Sequence, residues 1–239
     1  MLRGVTEPAV VANPTVVAPA RTAVRRGRGA ALVERACLLG FGAIFALVRA
    51  RRTDAIDLAV TMKLQRRTYP LLSRLMGSVS WPGFPPQSRL IPPVLIALLL
   101  AMRLRLEAVA MVGVWGTALV ASIVKAVMRR PRPVAGVDVR VIAAPLGGSS
   151  FPSGHTITYV GIYGFAAYLA HTLIRPVALR RAIVAAMVSL VGLVGPSRIH
   201  QGHHWFTDVT ASYLLGLGYL LGLTRIYRGR KARATGERP

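Results

Sequence analysis

Residues 106–128 read LEAVAMVGVWGTALVASIVKAVM, with Glu107 and Lys125 near its two ends as the only charged positions. At ~1.5 Å of rise per residue, a helix over this stretch crosses a ~30 Å hydrocarbon core with length to spare. Working outward from it, Arg103, Arg105 and Glu107 mark a tight turn on its N-terminal side. The apolar run before that turn, residues 90–102, reaches only about 20 Å as a helix, so it must start back near Phe84 or tilt. Residues 29–48 give an earlier apolar run of spanning length, with Glu34 and Arg35 snorkelling near its start. After residue 128 comes a polar loop rich in Gly and Pro, residues 129–154. Three further apolar runs follow at 156–174, 177–194 and 209–227. The expected fold is therefore all-α, a polytopic bundle of about six transmembrane helices.

Composition supports the same class. A net charge of +23, from 31 Lys and Arg against 8 Asp and Glu, would ordinarily suggest a nucleic-acid partner. A chain that is 53% hydrophobic with long Leu/Val/Ala runs does not fit that reading, and it is too apolar to be disordered. No nucleic acid is expected as a partner, because the basic tail carries no interleaved aromatics. Cys37 is the single cysteine, which rules out an intrachain disulfide scaffold. Residues 1–28 read as a flexible basic tail, 29–228 as the membrane-embedded domain and 229–239 as a basic C-terminal tail. No small-x-small cleavage site follows the first apolar run, so it reads as a retained anchor in the plasma membrane. Basic residues divide almost evenly between the two sides, and both termini are expected in the cytoplasm.

Segment 49–89 has another character. Asp57, Thr61 and Gln65 recur every fourth residue, placing a polar stripe on one face of a short helix. Leu71, Leu72, Leu75, Met76 and Val79 form an apolar stripe on a second one. Both read as amphipathic helices lying along the bilayer surface. The sequence Trp81-Pro82-Gly83-Phe84-Pro85-Pro86 reads as a turn with aromatics at the interface.

Charged and polar residues are scarce here, so three clusters stand out. Lys125 to Pro133 closes the third expected span, Phe151 to His155 precedes the fourth, and Ser197 to Asp208 joins the fifth to the sixth. Two spans separate the second cluster from the third, so both open on one membrane face. Lys125, Arg132 and Arg198 suit a phosphate dianion, since Arg offers a planar fork of donors and Lys a point charge. Ser153 and Gly154 open a helix whose first N–H groups donate to phosphate oxygens. His204 and Asp208 are four apart, on one face if the last helix starts that early. The carboxylate would then hold one ring nitrogen protonated and leave the other to attack phosphorus. His155, from the other loop, would protonate the leaving oxygen. The chain lacks the clustered carboxylates of metal-dependent phosphatases, so neither a metal nor another cofactor is expected.

The patterns Lys-x6-Arg-Pro, Pro-Ser-Gly-His and Ser-Arg-x5-His-x3-Asp, in this order, resemble the three-part signature of the type 2 phosphatidic acid phosphatase family. That superfamily also holds vanadium haloperoxidases and bacterial acid phosphatases. The specified residues here are Lys125, Arg132 and Pro133; Pro152, Ser153, Gly154 and His155; and Ser197, Arg198, His204 and Asp208. The resemblance implies a phosphohistidine on His204, leaving-group protonation by His155 and orientation of His204 by Asp208. It also implies phosphate binding by Lys125, Arg132, Ser153, Gly154 and Arg198, with Pro133, Pro152 and Ser197 supporting the motifs. The implied substrate is a phosphomonoester or pyrophosphate on a bilayer lipid, handled at the extracytoplasmic face. Phosphatidic acid, phosphatidylglycerol phosphate and isoprenoid pyrophosphate all present the same group. Ser212 stands where many relatives carry Gly, a difference expected to touch helix packing more than chemistry.

Three rival readings use the same residues: a lipid phosphotransferase with an alcohol acceptor, a vanadate-dependent haloperoxidase, and an inactive lipid-binding scaffold. His200 and His203 invite a zinc site with His204, but too few further ligands lie nearby, and both read as bystanders. Arg129 and Arg130 read as interfacial residues facing headgroups or solvent.

Overall fold

The computed structural model describes residues 20–66, 69–136, 139–142 and 146–234, with side chains from residue 29 onward. Among these the fold is all helical. The helices are α1 (Ala20–Arg49), α2 (Asp54–Gln65), α3 (Pro70–Ser80), α4 (Gln87–Ala101), α5 (Arg105–Met128), α6 (Gly154–Leu173), α7 (Val177–His200) and α8 (Phe206–Ala234). A single 3-10 turn, Trp81–Gly83, follows α3. Helices α1, α4, α5, α6, α7 and α8 make the bundle. The short α2 and α3 sit at the end where α5 and α7 finish and α6 and α8 begin. Helix α6 is the hub, packed against α5, α7 and α8, while α1 lies along α8.

Two boundaries differ from the sequence reading. Helix α1 begins at Ala20, inside the segment expected to be a flexible tail, and α8 runs on to Ala234 past residue 228. The extra turns of α8 have a partner. The buried Glu107 of α5 accepts from the Tyr227 hydroxyl at 2.8 Å and from the Lys231 ammonium. Glu34, expected to snorkel, instead accepts from Arg225 of α8 at 3.0 Å. Residues 1–19 and 235–239, and Asp138 in the long loop, lie outside the described residues.

By length and composition four helices qualify as membrane spans, Gly29–Arg49, Arg105–Met128, Val177–His200 and Phe206–Ala234. A fifth arises if Pro70–Gly83 and Gln87–Ala101, bent by 58°, count as one broken span. Helix α6, expected as a span of its own, does not qualify, although its 20 residues give it the length. The reason is its position. Its Thr156, Ile157, Tyr159 and Phe165 are buried against neighbouring helices, so its surroundings are protein, where Thr, Tyr and Gly serve as well as Leu. The short α4 starts near Phe84, as its length required.

The structure fixes which way α2 faces. Its polar stripe faces inward: Asp57, Thr61 and Gln65 are all at most 2% exposed, whereas Ile56 is 51% and Met62 40% exposed. An amphipathic pattern fixes two faces but not which one meets protein. Here the protein side is lined with backbone groups that need partners. Gln65 donates to the carbonyls of Arg140, Ile199 and His200 at 2.8–3.3 Å and accepts from the Arg140 amide at 2.9 Å. Gly202 is needed beside it. At φ +74° it ends α7, and a Cβ there would lie 2.2 Å from the Arg140 carbonyl oxygen.

Replacing Gln65 by Ala strands several buried backbone groups at once, each costing about 1–3 kcal/mol when left unpaired. The thermal unfolding midpoint in detergent is expected to fall clearly for Gln65→Ala and to stay unchanged for Met62→Ala. Equal midpoints for the two variants would contradict the inward polar face.

Candidate active site

Helix α5 carries Lys125 one turn from its end and stops at Arg129, whose left-handed backbone (φ 49°) closes the helix through an N–H bond to the Lys125 carbonyl. The chain then passes Pro131 and turns Arg132 back over the bundle. Lys125 Nζ donates to the Ser149 carbonyl at 2.7 Å, and Arg132 Nη2 donates to the same oxygen at 3.2 Å. A second Arg132 nitrogen, Nη1, donates to the His203 carbonyl at 2.7 Å and lies 3.3 Å from His204 Nε2. Ser153 caps α6, its hydroxyl accepting from the Thr156 amide and hydroxyl. The first N–H groups of α6, at Gly154 and His155, therefore open into the same space. A Cβ on Gly154 would meet Lys125 Cε at 3.9 Å.

Arg198, on the last turn of α7, is fully buried. Its Nη1 donates to Ser80 Oγ at 3.2 Å and Gln201 Oε1 at 2.7 Å, its Nη2 meets His203 Nδ1, and its guanidinium lies 4.9 Å over the Phe84 ring. Its Nε has no hydrogen-bond partner among the described residues. The ion pairs formed by the described residues include none with Lys125, Arg132 or Arg198. A buried guanidinium without a carboxylate beside it is costly unless an anion joins it.

His204 lies in the link before α8, not on the helix, so the expected shared helix face with Asp208 does not form. Its Nδ1 sits 2.7 Å from the Ser150 carbonyl oxygen and 3.6 Å from Asp208 Oδ2. The main-chain carbonyl, rather than the carboxylate, therefore takes the Nδ1 proton, which leaves Nε2 with its lone pair toward Arg132. Burial, then the positive charges of Arg198, Arg132 and Lys125, push the His204 pKa well below its ordinary value. Its imidazole is thus neutral at neutral pH. Asp208 serves the helix as well, since its Oδ2 accepts from the Trp205 amide at 2.9 Å, half of a capping box at the start of α8.

His155 enters from α6. Its ring meets Phe84 edge-on at 4.6 Å, and its Nε2 is buried without a hydrogen-bond partner among the described residues. Gly83 is pressed against it so closely that a Cβ would fall 2.2 Å from His155 Cδ2. A cavity of about 340 Å³ leads away from Lys125, Gly154 and His155 between α4, α5 and α6, walled by Ile91, Pro92, Trp115, Ile162 and Tyr163.

The three sequence clusters thus come together at one end of the bundle. Residues outside the three motifs also take part. Arg130, read as interfacial, points inward and bonds Asp208 at 2.7 Å and Asp57 at 2.6 Å. His203, read as a bystander, contacts Arg198. Ser212, read as a packing difference, accepts from the Ser153 amide at 2.7 Å and donates to the Asp208 carbonyl at 2.6 Å, tying α6 to α8. Asp57 stands out in the sequence only as part of a stripe, Gly83 and Phe84 only as part of a turn, and nothing there marks Ser80. His200 lies near Ser73 at 3.5 Å, away from the cationic cluster. Among the described residues no group of three or more His, Cys, Asp or Glu side chains is placed to hold a metal ion.

The fold has relatives. The chain is similar to the crystal structure of a transmembrane PAP2-type phosphatidylglycerolphosphate phosphatase from Bacillus subtilis, with TM-score 0.70 and 22% identity over 82% of this chain and 96% of that one. It is also similar to LpxE from Aquifex aeolicus, with TM-score 0.57 and 21% identity over 71% of this chain and 95% of that one. No curated protein matches the sequence. The family model of the PAP2 superfamily matches residues 94–232, which take in all three clusters and leave Asp57, Ser80, Gly83 and Phe84 outside it. This integral membrane protein belongs to the PAP2 superfamily.

Proposed function

We propose that the protein is a membrane lipid-phosphate phosphatase working through a phosphohistidine on His204, without a metal ion. The observation that carries this reading is the position of His204 Nε2. A neutral, lone-pair-bearing nitrogen lies 3.3 Å from Arg132 Nη1 in a cluster where Lys125, Arg132 and Arg198 have no acid partners. A phosphoryl group seated there meets donors for all three equatorial oxygens, and the N–H groups of Gly154 and His155 add to them.

In the first step Nε2 attacks phosphorus, the ester or anhydride P–O bond breaks, and the lipid oxygen takes a proton from His155. The incoming phosphate supplies the negative charge that lets the buried His155 carry this proton. The imidazole of His204 becomes cationic once phosphorylated. The Ser150 carbonyl and the Asp208 carboxylate behind Nδ1 stabilise that charge. In the second step water on the His155 side gives its proton to His155 and attacks phosphorus. The P–N bond breaks, and Nε2 and inorganic phosphate are restored. The cavity beside His155 has the lipid's place: a polar mouth at the reacting groups and an apolar interior between helices. The positive site takes over the charge neutralisation that a metal ion would otherwise supply. A site at headgroup level on the extracytoplasmic face of the plasma membrane suits a substrate whose tail stays in the bilayer. The lipid phosphatase named for the Bacillus subtilis structure supports this substrate class.

Phosphate release by the purified protein in detergent, with EDTA present, should proceed on at least one of phosphatidic acid, phosphatidylglycerol phosphate and an isoprenoid pyrophosphate, and should vanish in His204→Ala. Release abolished by EDTA would contradict the metal-free mechanism, and phosphate appearing on an added alcohol would make the protein a transferase. Gly83→Ala forces a methyl into the His155 ring, so kcat should fall at least about 10-fold in a protein of wild-type melting temperature. An unchanged kcat would remove Gly83 from the account of His155.

A further inference from the structure

Arg130 is not among the residues of the three-part signature, and Asp57 lies outside the region that the family model matches. We propose that these two residues form the positioning pair that holds Asp208 aimed at His204, which makes the short helix α2 a working part of the site. The proposal rests on the phosphatase reading above and adds to it two residues that never touch the substrate.

Asp57 and Asp208 are both buried, at 1% and 0% exposure. Two carboxylates so enclosed are costly to keep together unless a cation lies between them. Arg130 supplies it through its fork: Nη1 to Asp208 Oδ1 at 2.7 Å, Nη2 to Asp57 Oδ2 at 2.6 Å. The same two nitrogens also donate to Thr207 Oγ1 at 2.9 Å and Thr53 Oγ1 at 3.3 Å. Asp54 lies 3.7 Å away at the exposed rim. Asp57 in turn accepts from the Thr207 amide at 2.7 Å and its hydroxyl at 2.8 Å, one residue before Asp208. Burial alone would lower the Arg130 pKa, but Asp208 and Asp57 more than offset it, so the cation persists.

This arrangement settles which Asp208 oxygen does what. Oδ1 is taken by Arg130 and Oδ2 by the Trp205 amide at 2.9 Å, and together they hold the carboxylate with Oδ2 facing His204 Nδ1 at 3.6 Å. Charge completes the argument. Arg130 with two carboxylates is net −1, and the imidazolium formed on phosphorylation brings the group to zero. Asp57 also holds Thr207, the residue before Asp208, so without it Arg130 and the start of α8 both lose a buried partner. Without Arg130 the two carboxylates lose the group that links them, and Asp208 is held through Oδ2 alone.

The test compares Arg130→Gln and Asp57→Asn with wild type in the full chain. Turnover uses whichever panel lipid is hydrolysed fastest; inorganic phosphate and vanadate are titrated separately. Arg130→Gln should lower kcat about 100-fold and Asp57→Asn about 10-fold, with KM within about 3-fold of wild type. Vanadate, which bonds to the nucleophilic nitrogen, should weaken with kcat, while phosphate binding stays unchanged. A merely structural role would move both ligands together. Folded variants within 3-fold of wild-type kcat, or a parallel loss of phosphate and vanadate, would overturn the proposal. If Arg130→Gln does not fold, Asp57→Asn decides alone by the same readings. Should no panel lipid be hydrolysed by wild type, the phosphatase reading fails, and the vanadate-to-phosphate comparison still decides the pairing.

Discussion

A fully buried guanidinium with no carboxylate beside it is the constraint around which the protein is organised. Arg198 is held by Ser80, Gln201, His203 and the face of Phe84, all neutral groups. Enclosing a cation this way costs several kcal/mol unless an anion shares the space. Lys125 and Arg132 repeat the pattern, leaning on main-chain carbonyls. Carbonyls orient these side chains without cancelling their charge, so their positive potential is left for an anion, on the proposed reading the phosphoryl group. Where acid partners do occur, at Arg130, they lie behind the nucleophile and not in front of it.

The same division runs through the helices. Two motif elements begin helices and two end them, so α5, α6, α7 and α8 all present termini to one end of the bundle. Helix starts bring N–H groups at Gly154 and His155, and helix ends bring Lys125 and Arg198. The short α2 and the turn after α3 then close the back and side of that end. Asp57 reaches Thr207, Ser80 reaches Arg198, and Gly83 supports His155. The segment expected along the membrane surface thus also walls the rear of that end through its polar face.

Much of this was legible in the sequence because the relevant signals are local. The boundaries of the helix over 106–128 follow from Glu107, Lys125 and the prolines beyond. The three clusters stand out because polar residues are scarce. What could not be read depended on partners distant in sequence. The stripe Asp57, Thr61, Gln65 told of a helix with two faces, but the inward one was fixed by unpaired backbone groups near residues 140 and 200. Arg130 was indistinguishable from Arg129 in a basic loop until the fold set Asp57 and Asp208 on either side of it. Helix α6 was read as a span by its length, whereas its polar content follows from its central place. The His204–Asp208 spacing suggested a helix face, yet the helix starts two residues too late for it.

The central claim is that His204 Nε2 becomes covalently phosphorylated. Rapid acid-free quenching during turnover of a lipid labelled in its scissile phosphate, followed by peptide mapping, tests this most directly. The account predicts label on His204 that is stable to alkali and lost in acid, and none in His204→Ala. Turnover with no labelled protein, or label on any other residue, would contradict it.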